Sequence, residues 1–91
     1  MKKKLEIIRA YFKKDMFLDK FIKTFIYKPY ETAKERLVVV YGDKVITLWV
    51  FDLCTNQLAI NATIEGRCSA VEASRITSII EQAEKEINKD A

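Results

Sequence analysis

A chain of 91 residues, 49% hydrophobic and 32% charged with a formal charge of +3, has the make-up of one folded domain and not of a disordered tail. Two Gly and one Pro leave no room for a glycine-rich phosphate loop, and the lack of His removes the usual proton shuttle near neutral pH. No window approaches the roughly 18 consecutive apolar residues that a membrane span needs.

Residues 1–27 read as a basic amphipathic helix. Leu5, Ile8 and Phe12, then Phe17, Phe21 and Phe25, recur at helical spacing, with Lys2, Arg9, Lys13, Lys20 and Lys23 on the opposite side. The apolar stripe turns between Phe12 and Phe17, where Asp15 could mark a kink or a second helix start. A strand over Leu5–Phe12 is the competing reading, because short apolar runs fit both periods. Pro29 stops the helix and pushes Lys28 toward extended backbone.

Residues 36–64 predict a three-stranded meander. Leu37–Tyr41 is β-branched and short. Gly42-Asp43 supplies a two-residue hairpin turn, which sets Tyr41 opposite Lys44, Val39 opposite Ile46 and Leu37 opposite Leu48. One face then carries Leu37, Val39, Ile46, Leu48 and Val50; the other carries Arg36, Val38, Val40, Val45, Thr47, Trp49 and Phe51. After a polar loop over Asp52–Gln57, the third strand alternates Leu58, Ile60, Ala62 and Ile64 with Ala59, Asn61 and Thr63. Its apolar side joins the aliphatic face, which becomes the core.

Gly66 ends the sheet, and Ser69-Ala70-Val71-Glu72 is a capping box that opens a helix over residues 69–89. Ala73, Ile76, Ile79, Ile80, Ala83 and Ile87 form its apolar stripe, with Glu81 and Lys85 as an i,i+4 pair on the wet side. The predicted fold is α+β in the order α-β-β-β-α, a single domain across 1–91.

That order is similar to the topology of double-stranded RNA-binding domains. The family places a Lys-rich cluster at the start of its last helix, where this chain has Ser69-Ala70-Val71-Glu72-Ala73, and Gly42-Asp43 stands where the family has a Gly-Pro hairpin beside a His. No RNA-contacting residue carries over.

Enzymatic chemistry has little to rest on: Asp43 and Asp52 fall at opposite ends of the second strand, out of hydrogen-bond reach of each other. No catalytic residue, cofactor or metal ligand is expected. Cys54 and Cys68 lie near opposite ends of the third strand, beyond disulfide reach, and have no His or further Cys at ligand spacing. They read as incidental reduced thiols, with a reactive or intermolecular role as the alternative. The start Met1-Lys2-Lys3-Lys4 resembles a signal peptide, but Glu6, Arg9, Lys13 and Lys14 interrupt the apolar run that should follow. A cytoplasmic protein is expected.

The Trp49 face is the candidate binding surface. An apolar patch around Val38, Val40, Val45, Trp49 and Phe51 would be large for a monomer to leave bare. Three readings stay open: the N-terminal helix covers it, a second copy or protein partner docks on it, or nucleic-acid bases stack there beside Arg36 and Thr47. Residues 1–36 hold 11 Lys or Arg against 5 Asp or Glu, a balance of +6, and residues 37–91 hold 5 against 8, a balance of −3. Arg9, Lys13, Lys20 and Lys23 could therefore follow a phosphate backbone or a membrane surface, or simply be a solvated face. Twelve Lys against four Arg favours the solvated face, since Arg is the usual choice for bidentate phosphate contact. The expected function is a non-enzymatic protein–protein interaction module that self-associates, of the kind a bacterium or its virus uses as an inhibitor or regulator. A nucleic-acid-binding module is the alternative.

Overall fold

A computed structural model describes residues 2–16, 22–53 and 56–89. The elements run α1 (Lys2–Met16), β1 (Ile22–Tyr27), β2 (Arg36–Tyr41), β3 (Lys44–Asp52), β4 (Leu58–Glu65) and α2 (Ala70–Ile87). The four strands form one antiparallel sheet in the order β1-β2-β3-β4. The fold is thus α+β, with one strand more than the sequence predicted.

The extra strand replaces the second half of the expected helix. Residues spaced by four share a side in a helix and also in a strand, so the spacing of Phe17, Phe21 and Phe25 does not distinguish the two. The β-branched and aromatic make-up of Ile22–Tyr27 does, and Lys23, Thr24, Phe25, Ile26 and Tyr27 pair in turn with Val40, Val39, Val38, Leu37 and Arg36 of β2. The turn of the apolar stripe near Asp15 is the end of α1. Over Leu5–Phe12 the helical period holds, and Leu5, Ile8 and Phe12 are fully buried.

Both helices pack on the same side of the sheet. One core joins Leu5, Ile8 and Phe12 of α1, Leu37 and Val39 of β2, Ile46, Leu48 and Val50 of β3, and Ile76, Ile79, Ala83 and Ile87 of α2. Each large side chain buried there is worth roughly 1.5–3 kcal/mol. The α1 and α2 helices touch each other as well. Near the start of α1, Lys4 Nζ donates to the carbonyl of Ile87 at 3.0 Å, placing a cation at the negative end of α2.

The hairpin pivots where expected. Tyr41 pairs with Lys44, Val39 with Ile46 and Leu37 with Leu48, and Gly42 takes φ 62°, the positive value primed turns need. Lys44, on the helix-facing side, is almost wholly buried and bonds Asp43 at 3.2 Å and Glu72 at 2.7 Å. Glu72 also completes the capping box: its carboxylate accepts from the Ser69 N–H, and its own N–H donates to Ser69 Oγ. One carboxylate thereby ties the hairpin to the start of α2. The bond to Glu72 holds the Lys44 ammonium above its ordinary range, and the same bond holds the Glu72 carboxyl below its own. Glu81 and Lys85 face outward without an ion pair between them, and the expected i,i+4 contact is not made.

The two sheet edges differ. Leu58, Ile60 and Ala62 turn their N–H groups away from β3, and each meets a side chain: Asn88 Oδ1 at 2.8 Å, Glu84 Oε2 at 3.1 Å and Asn61 Oδ1 at 3.1 Å. Asn88 Nδ2 also donates to the Leu58 carbonyl at 2.9 Å, so this side chain bonds β4 as a neighbouring strand would. Side chains cover the β4 edge from Leu58 to Ala62.

Candidate functional site

With both helices on one side, the opposite side of the sheet is left without a covering layer among the described residues. The seven residues picked from the sequence, Arg36, Val38, Val40, Val45, Thr47, Trp49 and Phe51, all lie there. The reading in which the N-terminal helix packs on Trp49 is overturned, because α1 buries its apolar residues among the aliphatic ones.

The register arranges this face in rows across the four strands. Lys23, Val40, Val45 and Glu65 make one row, and Phe25, Val38, Thr47 and Thr63 the next. In the third, Tyr27 pairs with Arg36 and Trp49 with Asn61, and the Arg36 guanidinium sits over the indole at 4.8 Å from its centroid. Phe51 beside Ala59 continues the face beyond that row. Opposite charges therefore stand at the two ends of one row, Lys23 on β1 and Glu65 on β4.

The face is apolar yet wet. Phe25 is 48% exposed, Tyr27 and Phe51 38% each, and the Phe25 and Tyr27 rings lean together at 6.1 Å. Among the described residues of this face Val38 alone is nearly closed off, at 5%. Phe25 and Tyr27 escaped the sequence reading because their segment was assigned to a helix; the β-branched and aromatic enrichment of residues 22–27 was the signal that would have found them.

The proposed anion-contacting set does not come together. Arg9 lies on α1, where its Nη1 is 3.0 Å from Glu6 Oε1, and Lys13 is exposed further along the same helix. Lys20 lies outside the described residues, and Lys23 is on the uncovered sheet face. The single basic helix side drawn from the sequence required a helix that ends at Met16. Cys54 also lies outside the described residues; Cys68 is half-buried and makes no disulfide. Among the described residues no group of His, Cys, Asp or Glu is arranged to hold a metal ion, and no helix is long and apolar enough to cross a membrane.

No protein family, curated protein or solved structure matches this chain. With four strands, the order also departs from that of double-stranded RNA-binding domains.

Proposed function

We propose that this chain is a non-enzymatic interaction module whose working surface is the uncovered sheet face, and that a second copy of the chain docks there. The observation that supports the reading is the row running from Lys23 to Glu65. A two-fold axis parallel to the strands and midway between two stacked sheets lays β1 of one copy over β4 of the other. Each Lys23 then meets a Glu65 of the other copy, while each Val40 meets a Val45 in between. Charge complementarity fixes the register, and the aromatic side chains supply the buried area. Sheets pack face to face in this way at about 10 Å separation. A regulatory role follows naturally for such a module, which acts by occupying a surface and not by turning over a substrate.

The test is sedimentation at micromolar concentration. Trp49→Ala should weaken association by about 2 kcal/mol, roughly 30-fold, with the helical circular-dichroism signal unchanged. Lys23→Glu and Glu65→Lys should each weaken it, and the double exchange should restore it. A wild-type chain that stays monomeric, or a dimer indifferent to Trp49→Ala, would overturn the reading.

A further inference from the structure

Separately from the sheet face, we infer that β1 is a pairing edge that takes β1 of another copy in antiparallel register about Thr24. The sheet's hydrogen-bond parity defines what that edge offers. Tyr41 and Lys44 flank a two-residue turn and bond each other, so Val39 with Ile46 and Leu37 with Leu48 do likewise. Arg36, Val38 and Val40 therefore bond β1, through Tyr27, Phe25 and Lys23. The N–H and C=O groups of Ile22, Thr24 and Ile26 are left pointing out of the sheet. Parity predicts the same of Leu58, Ile60 and Ala62 at the far edge, and there the outward N–H groups are seen.

The two edges are treated differently, and this selects the occupant. Asn88, Glu84 and Asn61 take up the outward N–H groups of Leu58, Ile60 and Ala62, three of the four outward residues of β4. Among the described residues no side chain does this for Thr24 or Ile26. Of the two edges, β1 therefore offers a partner strand the longer open run, and a second copy presents a strand of matching parity. With Thr24 opposite Thr24, Ile22 faces Ile26 of the other copy at both ends, and about six backbone hydrogen bonds form. Lys23 does not obstruct the approach, since its backbone bonds Val40 and its side chain belongs to the uncovered face. The two-fold axis of this contact stands perpendicular to the sheet. It joins two four-stranded sheets into one of eight strands with a continuous uncovered face, and leaves Trp49 out of the contact.

Thr24 opposes itself in this register, with a Cα separation of about 5.5 Å that a disulfide can span. The test therefore uses Thr24→Cys in a chain whose Cys54 and Cys68 are replaced by alanine. Mild oxidation should convert it to a covalent dimer, and Lys23→Cys in the same background should stay uncrosslinked. Thr24→Pro removes an outward N–H that no ladder bond uses, a substitution edge strands tolerate, and should lower the mass of the assembly. Trp49→Ala should leave the Thr24→Cys crosslink intact. Failure of Thr24→Cys to crosslink, equal crosslinking at Lys23→Cys, or an unchanged mass for Thr24→Pro would overturn the inference. Loss of association in Trp49→Ala without a Thr24→Cys crosslink keeps the sheet-face reading and removes this one; the reverse pattern removes the sheet-face reading.

Discussion

At position 72, in the first turn of α2, one carboxylate holds two groups: the Ser69 N–H at the helix cap and the Lys44 ammonium arriving from the hairpin. The depressed Glu72 pKa makes this arrangement pH-dependent with a definite sign. Its stabilisation is complete above the unfolded carboxyl range near pH 4 and is lost as pH falls through the lower folded value. The raised Lys44 pKa acts at the other end: its contribution is complete below about pH 10 and is lost as pH rises through the folded value. Between these limits the contribution of the pair should be flat. Glu72→Gln keeps a capping-box side chain while discharging the ion pair. Thermal melts of this variant should therefore lose less stability than the wild type between pH 5 and pH 3, while an unaltered acid limb would mean that the pair contributes nothing there.

At the scale of elements, the end of β4 approaches the β2–β3 hairpin closely at Gly66. Gly66 has φ 106°, and a Cβ built there would lie 2.4 Å from the Asp43 carbonyl oxygen. Gly66→Ala therefore meets both a strained backbone and a rigid neighbour, and should cost about 1–3 kcal/mol or more in a urea titration. A cost near zero would mean that the hairpin and the β4–α2 junction can move apart.

The elements were unequally legible in the sequence. The hairpin was, because Gly42-Asp43 sits between two apolar runs and a two-residue turn admits only one register. So was α2, where the Ser69–Glu72 box opens an eighteen-residue element with an unbroken apolar stripe. β1 was not, since four-residue aromatic spacing serves both periods and the basic residues drew it into one long amphipathic pattern. The seven Trp49-face residues were grouped together by alternation alone. Their uncovered state was not readable, because no local pattern says on which side of a sheet a helix will pack.

For the whole molecule, that placement decides the character of the surface. The core is one layer of side chains between two helices and a sheet, and among the described residues no helix covers the second face of the sheet. The basic first part of the chain and the more acidic remainder are held together by this apolar layer and by the β1–β2 ladder. Direct polar links between them include Lys4 with the Ile87 carbonyl and an exposed Lys34–Asp52 pair at 4.0 Å, and a surface pair of that kind adds little.

The Asn88 amide, which imitates a fifth strand beside Leu58, has a consequence for growth. A sheet with one adhesive border can recruit a single neighbour and then stops; a sheet with two can extend without limit, as fibrils do. Asn88→Ala together with Glu84→Ala uncovers the Leu58 and Ile60 N–H groups and the Leu58 C=O and should let the sheet extend at this border, visible as rising light scattering and thioflavin fluorescence on prolonged incubation. The last turn of α2 would then be the stopper that keeps this small sheet finite.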